Sequence, residues 1–330
     1  MIFYTFFKYL MKVTLRMYFR RVRIEGIENV PKDKPLLVTP NHQNAFLDAL
    51  LVGAYIPITL HILTRADIFN WWSKPLLGLL NMMPIYRIRD GYKKLSQNDA
   101  VFETCKSLFK EDKSVLIFAE GNHGEHHYLR PLTKGAARIA IFSQQEMEED
   151  LYVLPVGVNY FHHQKSRSGV VLSFGEPISV RTYEEQYSEI GAKGLLSMRD
   201  AISDGMKSTL VIPEETADYE QRKQAIFQEP HLGKSLQELR EIPTDTQIVK
   251  KRKKGFLAKI LNPIPFLMIR KVVSGAKDIV FHSSLKFATG LVAFPLWWLI
   301  VFTLVSILIG TQAALLTVFV MVFGLFYSYS

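Results

Sequence analysis

The sequence predicts an α/β protein: a mixed sheet flanked by helices, with an interfacial helix ahead of it and a transmembrane or re-entrant helix pair behind it. Three observations carry this. Between about residues 23 and 181, short apolar runs alternate with longer amphipathic stretches, the rhythm of strands and helices taken in turn. The first 22 residues mix aromatic and cationic side chains at helical spacing. From Phe287 to Ser330 no charged residue occurs.

Composition bounds what such a chain can be. With 330 residues, 48% of them hydrophobic, it holds a sizeable core and is not disordered throughout. A net charge of +9 points to an anionic partner: nucleic acid, acidic lipid headgroups or a phosphorylated substrate. The single cysteine, Cys105, excludes an intramolecular disulfide and a Cys-based zinc site.

Taking the elements in order, Lys8, Lys12, Arg16 and Arg20 recur at i, i+4 and form a stripe on one helix face, with Phe3, Phe6, Phe7, Leu10 and Leu15 around the rest. Residues 1–22 are therefore expected to lie in a membrane interface, the alternative being a helix packed on the following domain with a solvated basic edge. The cations interrupt every apolar run and no small-residue cleavage site follows, so the segment does not read as a signal peptide. Strands are expected at residues 35–39, 58–64, 114–118, 152–158 and 170–174, and helices at 45–55, 68–80, 91–109 and 134–145. Residues 182–254 become polar and helical in pattern, broken by Pro213, Pro230 and Pro243, and end in the basic run KKRKK. That run lies just ahead of an apolar segment, so contact with anionic headgroups explains it better than nucleic acid does. In the tail, residues 288–308 are long enough to cross a bilayer, whereas residues 313–327 are short and fit a tilted partner or the return arm of a re-entrant hairpin. Lys271, Lys277 and Lys286 precede it with the basic run, which places the catalytic part on the cytoplasmic side of a cell membrane. Four segments result: 1–22, an interfacial helix; 23–181, the catalytic domain; 182–254, a helical extension with a basic linker; and 255–330, a membrane-embedded segment.

Four constellations bear on chemistry. In TPNHQNAFLDALL a strand runs into Pro40, the chain turns, and a helix is expected to start near Asn44 as its N-cap. His42 then stands exposed at a strand end, with Asp48 early in the helix. A neutral imidazole takes a hydroxyl proton when a carboxylate holds its other nitrogen, so this pair suits a base and its orienter. In IFAEGNHG, followed by Arg130, Lys134 and Gly135, a strand ending in Glu120 and Gly121 puts a carboxylate and a pliable backbone at a sheet edge, where α/β folds gather ligand sites. His123, His126 and His127 have no established metal spacing, and a solvated His-rich loop is the expectation; no metal is predicted. In GLLNMMPIYR a helix is expected to end at Pro84, with Arg87 emerging beside Arg89, suited to grip a phosphate. VLPVGV carries no ionisable group, and its Pro155 is expected to shape an edge strand or an apolar wall.

In order and spacing these segments resemble the glycerophospholipid acyltransferase family, which includes the bacterial 1-acyl-glycerol-3-phosphate acyltransferases; the resemblance covers roughly residues 20–180. The family's NH, four residues and D are matched by Asn41, His42 and Asp48; its Gly-rich stretch ending in Ile, a spacer and Arg by Gly78, Pro84, Ile85 and Arg87; its FPEGTRS by Phe118, Ala119, Glu120, Gly121, Asn122, His123 and Gly124; and its fourth motif by Pro155. The match departs twice. Five residues rather than four separate His42 from Asp48, so the loop must bulge or the helix must start earlier. Ala119, Asn122 and His123 replace the family's Pro, Thr and Arg, removing a cation that Arg130 or Lys134 would have to supply.

The resemblance implies acyl transfer from acyl-CoA or acyl carrier protein, a co-substrate rather than a cofactor, to a lysophosphatidate-like acceptor in phospholipid synthesis. His42 and Asp48 are implied as catalytic, and Asn41, Arg87, Glu120, Gly121, Asn122, His123, Arg130 and Lys134 as substrate-binding. No GxSxG elbow occurs, and Cys105 falls in a predicted helix, so a covalent acyl-enzyme lacks a nucleophile. No nucleotide-binding glycine loop occurs either, and no nucleic-acid partner is expected. The alternatives are a glycerol-3-phosphate or lyso-aminolipid acceptor, and, from another class, a non-catalytic membrane adaptor that binds anionic lipid.

Overall fold

The computed structural model describes residues 2–86, 97–249 and 255–327. Arg87, Arg89, the start of the helix expected at 91–109 and the basic run 250–254 lie outside the described residues. The order is α1 (Ile2–Tyr18), β1 (Arg21–Glu25), β2 (Leu36–Pro40), α2 (Phe46–Tyr55), β3 (Leu60–Arg65), α3 (Ser73–Leu79), β4 (Met82–Ile85), α4 (Gln97–Lys110) and β5 (Ser114–Leu116). It continues with α5 (Gly135–Gln144), β6 (Tyr152–Tyr160), β7 (Gly169–Phe174), β8 (Ile178–Ser179), α6 (Arg181–Ile190), α7 (Ala192–Ser208), α8 (Tyr219–Ile226) and α9 (Leu236–Arg240). The tail comprises α10 (Phe256–Leu261), α11 (Pro263–Ser274), α12 (Phe281–Leu308) and α13 (Thr311–Tyr327).

The described strands form one mixed sheet in the order β1-β7-β6-β2-β5-β3-β4, with β8 also paired to β6. Alternation along each strand feeds two cores, because successive side chains point to opposite faces. Leu36, Val38, Leu116, Leu154, Val156 and Val158 pack on one face with Met11 and Leu15 of α1 and Leu47 and Leu51 of α2. Leu37, Val115, Ile117 and Val153 pack on the other with Cys105 and Phe109 of α4, Ala137 and Ile141 of α5, and Met198 and Ile202 of α7. The parallel pairs β6-β2, β2-β5 and β5-β3 put the ends of β2 and β5 side by side at one sheet edge.

Several expectations are corrected. The stretch 68–80 is a helix only over Ser73–Leu79, after a 3-10 turn at Ala66–Ile68. Pro84 does not end a helix but sits in β4, the last strand of the sheet, where a missing N–H is tolerated. Pro155 is not on an edge: β6 runs inside the sheet, and Pro155 falls between the residues that pair with β8 and those that pair with β7. Its absent N–H coincides with that change of partner, and its carbonyl accepts from Gly175 N. β1 was not expected from its charged sequence RVRIE; it pairs in parallel with β7 as the opposite end strand, and its charges protect a sheet end.

Two of the N-terminal cations, Lys8 and Lys12, turn inward, whereas Arg16 stays exposed. Lys8 Nζ donates to the carbonyls of Ile56 and Ile58 just past the end of α2, and Lys12 stands over the Tyr55 ring. Burial lowers the Lys8 ammonium to about 8, with Lys12 adding to the effect. The exposed face of α1 is instead the apolar one, Ile2, Phe6, Tyr9, Val13 and Met17.

Candidate active site

Each backbone step toward the site is held by a bond that the local sequence supplies. Beyond Pro40, Asn41 extends the β2-β6 ladder with its side chain: its Oδ1 accepts from Val158 N at 2.7 Å and its Nδ2 donates to Val158 O at 3.2 Å. Asn41 is 1% exposed, so its amide is committed to the loop's anchorage. The extra residue between His42 and Asp48 is absorbed as a bulge at Ala45, which adopts φ 48° ahead of α2. Asn44 is therefore not the N-cap; its Nδ2 donates to His163 O.

Asp48 is fully buried and accepts four hydrogen bonds. Its Oδ2 takes His42 Nδ1 at 2.8 Å and the backbone N–H groups of Gln43 and Asn44 at 2.9 and 2.8 Å, and its Oδ1 takes Tyr160 Oη at 2.6 Å. A carboxylate so surrounded only accepts, which puts the His42 proton on Nδ1 and leaves the Nε2 lone pair available. The His42 side chain is 17% exposed, half-buried rather than open, and its ring stacks on Phe118 at 3.8 Å between centroids. Fixed tautomer, fixed plane and one available nitrogen are what a general base needs.

Glu120 follows β5 and supports the same loop. Its Oε1 accepts from His42 N at 2.6 Å and its Oε2 pairs with Arg130 Nε at 2.7 Å. Burial raises the Glu120 carboxyl, opposed by the Arg130 charge. Arg130 also donates to the carbonyls of His42, Asn122 and His123, so its guanidinium is spent on the loop. Gly121 takes φ 74° in the turn that aims Glu120 inward, a conformation an L side chain rarely adopts. Asn122 is exposed. Lys134 is exposed at the start of α5, and among the described residues no hydrogen bond or ion pair ties its side chain to the cluster.

The histidine loop is solvated only in part: His126 is exposed, whereas His123 is half-buried and His127 buried. His127 is buried and its Nε2 donates to Tyr160 O at 3.0 Å; His163 Nε2 reaches Gln43 Oε1 at 2.9 Å. His123 lies edge-on to His42 at 5.6 Å and to Phe281 at 4.9 Å, with Asp278 Oδ2 3.2 Å from its Nε2. Burial, then the neighbouring His42, lower His123 to about 4; Asp278 is half-exposed and its opposing field is screened, so the ring stays neutral near pH 7. Among the described residues no three His, Cys, Asp or Glu side chains gather in a metal-holding arrangement.

Sequence reasoning missed Tyr160, Phe118 and the first turns of α12. Ser284 Oγ donates to Asn44 O at 2.8 Å and accepts from Leu47 N at 3.2 Å, and Ser283 meets Tyr18 Oη at 2.7 Å. A tyrosine hydroxyl at the end of an inward apolar run, and a serine pair opening an otherwise apolar helix, were the signals available, since buried hydroxyls require partners.

Residues 21–159 match the family model Acyltransferase. Over 135 residues the chain is 32% identical to glycerol-3-phosphate O-acyltransferase 1 of Saccharomyces cerevisiae, covering 39% of this chain and 17% of that protein. It is 29% identical over 127 residues to a chloroplastic 1-acyl-sn-glycerol-3-phosphate acyltransferase of Arabidopsis thaliana, covering 37% of this chain and 33% of that one. The crystal structure of the 1-acyl-sn-glycerophosphate acyltransferase of Thermotoga maritima overlaps with a TM-score of 0.39 at 19% identity, covering 54% of this chain and 72% of that one. The aligned part is thus a third or less of the length of the two curated relatives named. Strands β1 to β5, nearly all of β6, and the loops that carry His42, Asp48 and Glu120 fall inside the matched stretch, and it is over this portion that the chain is similar to the Acyltransferase family.

Proposed function

We propose that the protein is a membrane-bound acyltransferase that moves a fatty acyl group from acyl-CoA or acyl carrier protein to the free hydroxyl of 1-acyl-glycerol-3-phosphate. The observation that carries this reading is the His42–Asp48 contact at 2.8 Å, which leaves one imidazole nitrogen basic at the edge of the sheet. The acceptor's hydroxyl proton passes to His42 Nε2 as its oxygen bonds the thioester carbonyl carbon. The C–S bond then breaks, and the imidazolium returns the proton to the departing sulfur. Asp48 stabilises the transient imidazolium and Tyr160 keeps Asp48 aligned. With Arg130 committed to Glu120 and the loop carbonyls, the acceptor phosphate falls to Lys134 and Arg87.

α12 is long and apolar enough to cross a membrane, and its first turns are bonded to the His42 loop, which supports a reaction at the bilayer surface; the basic residues ahead of the apolar tail favour the cytoplasmic face of a cell membrane for it. Neutral His123, where relatives carry Arg in the resemblance noted above, supports a second reading: a lyso-aminolipid acceptor with no phosphate monoester to neutralise. The test is a mass-spectrometric product survey of purified protein with both donor types and lysophosphatidate, glycerol-3-phosphate and lyso-aminolipid acceptors, beside His42→Ala. Transfer to lysophosphatidate that falls at least about 10²-fold in the variant supports the reading. Transfer that survives the substitution removes His42 as base, and no transfer by either protein points to a lipid-binding adaptor.

A further inference from the structure

Behind the His42 loop, and sharing none of its catalytic side chains, lies a cavity of about 1160 Å³ between α1, the β6-β7 turn, α11, α12 and α13. That exceeds the roughly 300–1,000 Å³ of ordinary small-molecule pockets. Most of the cavity lies outside the acyltransferase stretch, on elements that the family match does not reach. Its chemistry is graded along α12: His282 and Lys286 line one end, and Phe294, Pro295 and Trp298 the other. From 282 to 298 is about 24 Å of helix axis. One leaflet, half of a roughly 30 Å hydrocarbon core plus its headgroup zone, is about 20–22 Å deep.

Charge is equally one-sided. Lys165, Arg167, Arg270 and Lys286 line the cavity toward its His282 end, Lys259 stands nearer the aromatic end, where Asn262 bonds Trp298, and the one lining carboxylate, Glu229, is already paired with Arg20. A polar, cationic end and an aromatic, aliphatic end, separated by the depth of one leaflet, match a molecule built the same way. We propose that this cavity holds an anionic diacyl phospholipid taken from the leaflet in which α12 stands, a binding site separate from the acyl-transfer centre. Because α12 bonds to the catalytic loop at Ser284, the lipid would steady the wall that backs that loop.

The test is native mass spectrometry of the full chain in non-ionic detergent, loaded with phosphatidylglycerol, with phosphatidylcholine of the same acyl chains, or with lysophosphatidate. One phosphatidylglycerol is expected to be retained, with at least tenfold higher occupancy than phosphatidylcholine or lysophosphatidate. Gly290 lines the cavity, and a Cβ there meets only Phe294 and Ile269 at ordinary contact distance; Gly290→Leu should fill the space and lower occupancy at least tenfold. Arg270→Gln, on an exposed residue, should lower it about threefold or more without touching the core. Leu304→Phe, on an exposed face of α12, and His42→Ala should leave occupancy unchanged, which separates this site from acyl transfer. Equal retention of the three lipids, or retention indifferent to both cavity variants, overturns the proposal.

Discussion

Tyr160 is the residue that ties the buried sheet to the His42–Asp48 pair, through a 2.6 Å bond to Asp48. Tyr160→Phe removes one of four donors from a buried carboxylate, which should cost about 1–2 kcal/mol of stability and lower kcat roughly tenfold with KM little changed; denaturant melts and steady-state kinetics read the two effects apart. Asp48→Asn should be harsher, at least about 10²-fold in kcat, because the amide cannot accept from four donors or stabilise an imidazolium. The buried histidines set a second expectation. His123 and His163 are lowered to about 4 and His127 well below its ordinary value, each chiefly by burial. The unfolded chain therefore binds more protons than the fold below about pH 6.5, and stability should fall as pH drops from there toward 4. Glu120, raised by burial, works the other way in that range, one proton against three. A Tm that declines from pH 7 to 5, and declines less in His163→Gln, checks the sign. At this scale the His42–Asp48 contact was legible, because strand, turn and early-helix carboxylate bring the two together. The roles of Arg130 and Asn41 were not, since what a guanidinium or an amide meets depends on carbonyls many positions away.

Among the elements, α1 shows how a periodic pattern conveys spacing but not orientation. Its cationic stripe was readable as a face; that Lys8 would turn onto the carbonyl end of α2 depended on acceptors at Ile56 and Ile58, where a cation complements a helix C-terminus. What remains outward is an apolar stripe from Ile2 to Met17. Phe6→Glu with Val13→Glu should weaken vesicle binding by tenfold or more in flotation assays while leaving the melting transition in place, since both residues are exposed. Five strands and four helices were legible because their apolar periods are strong; β1 and β4 escaped because one is charged and the other carries Pro84, features that suit sheet ends and hide strands, and β8 because two residues, Ile178–Ser179, carry no period. The tail carries its own polar clamp: buried Asn262 accepts from Trp298 Nε1 at 2.8 Å and donates to Met321 O at 3.2 Å, so α11, α12 and α13 are joined at one point. Asn262→Leu leaves Trp298 Nε1 without its acceptor and removes the tie to Met321 of α13, and should lower the detergent-solubilised Tm by several degrees.

For the whole molecule, the sheet and the apolar tail share a seam rather than a tether. Thr311→Cys in a Cys105→Ser background, placed on the exposed first residue of α13 just past the far end of α12, should react with an impermeant maleimide only from the side of sealed vesicles opposite the sheet domain if α12 crosses. The seam has a practical corollary for anyone wishing to crystallise a water-soluble version. Cutting the chain ahead of residue 281 strips Ser284 from the Asn44 carbonyl and the Leu47 amide, and Phe281 from His123. The shortened protein would keep its sheet yet lose the brace on the turn that presents His42, so solubility gained by truncation should be matched by inactivity.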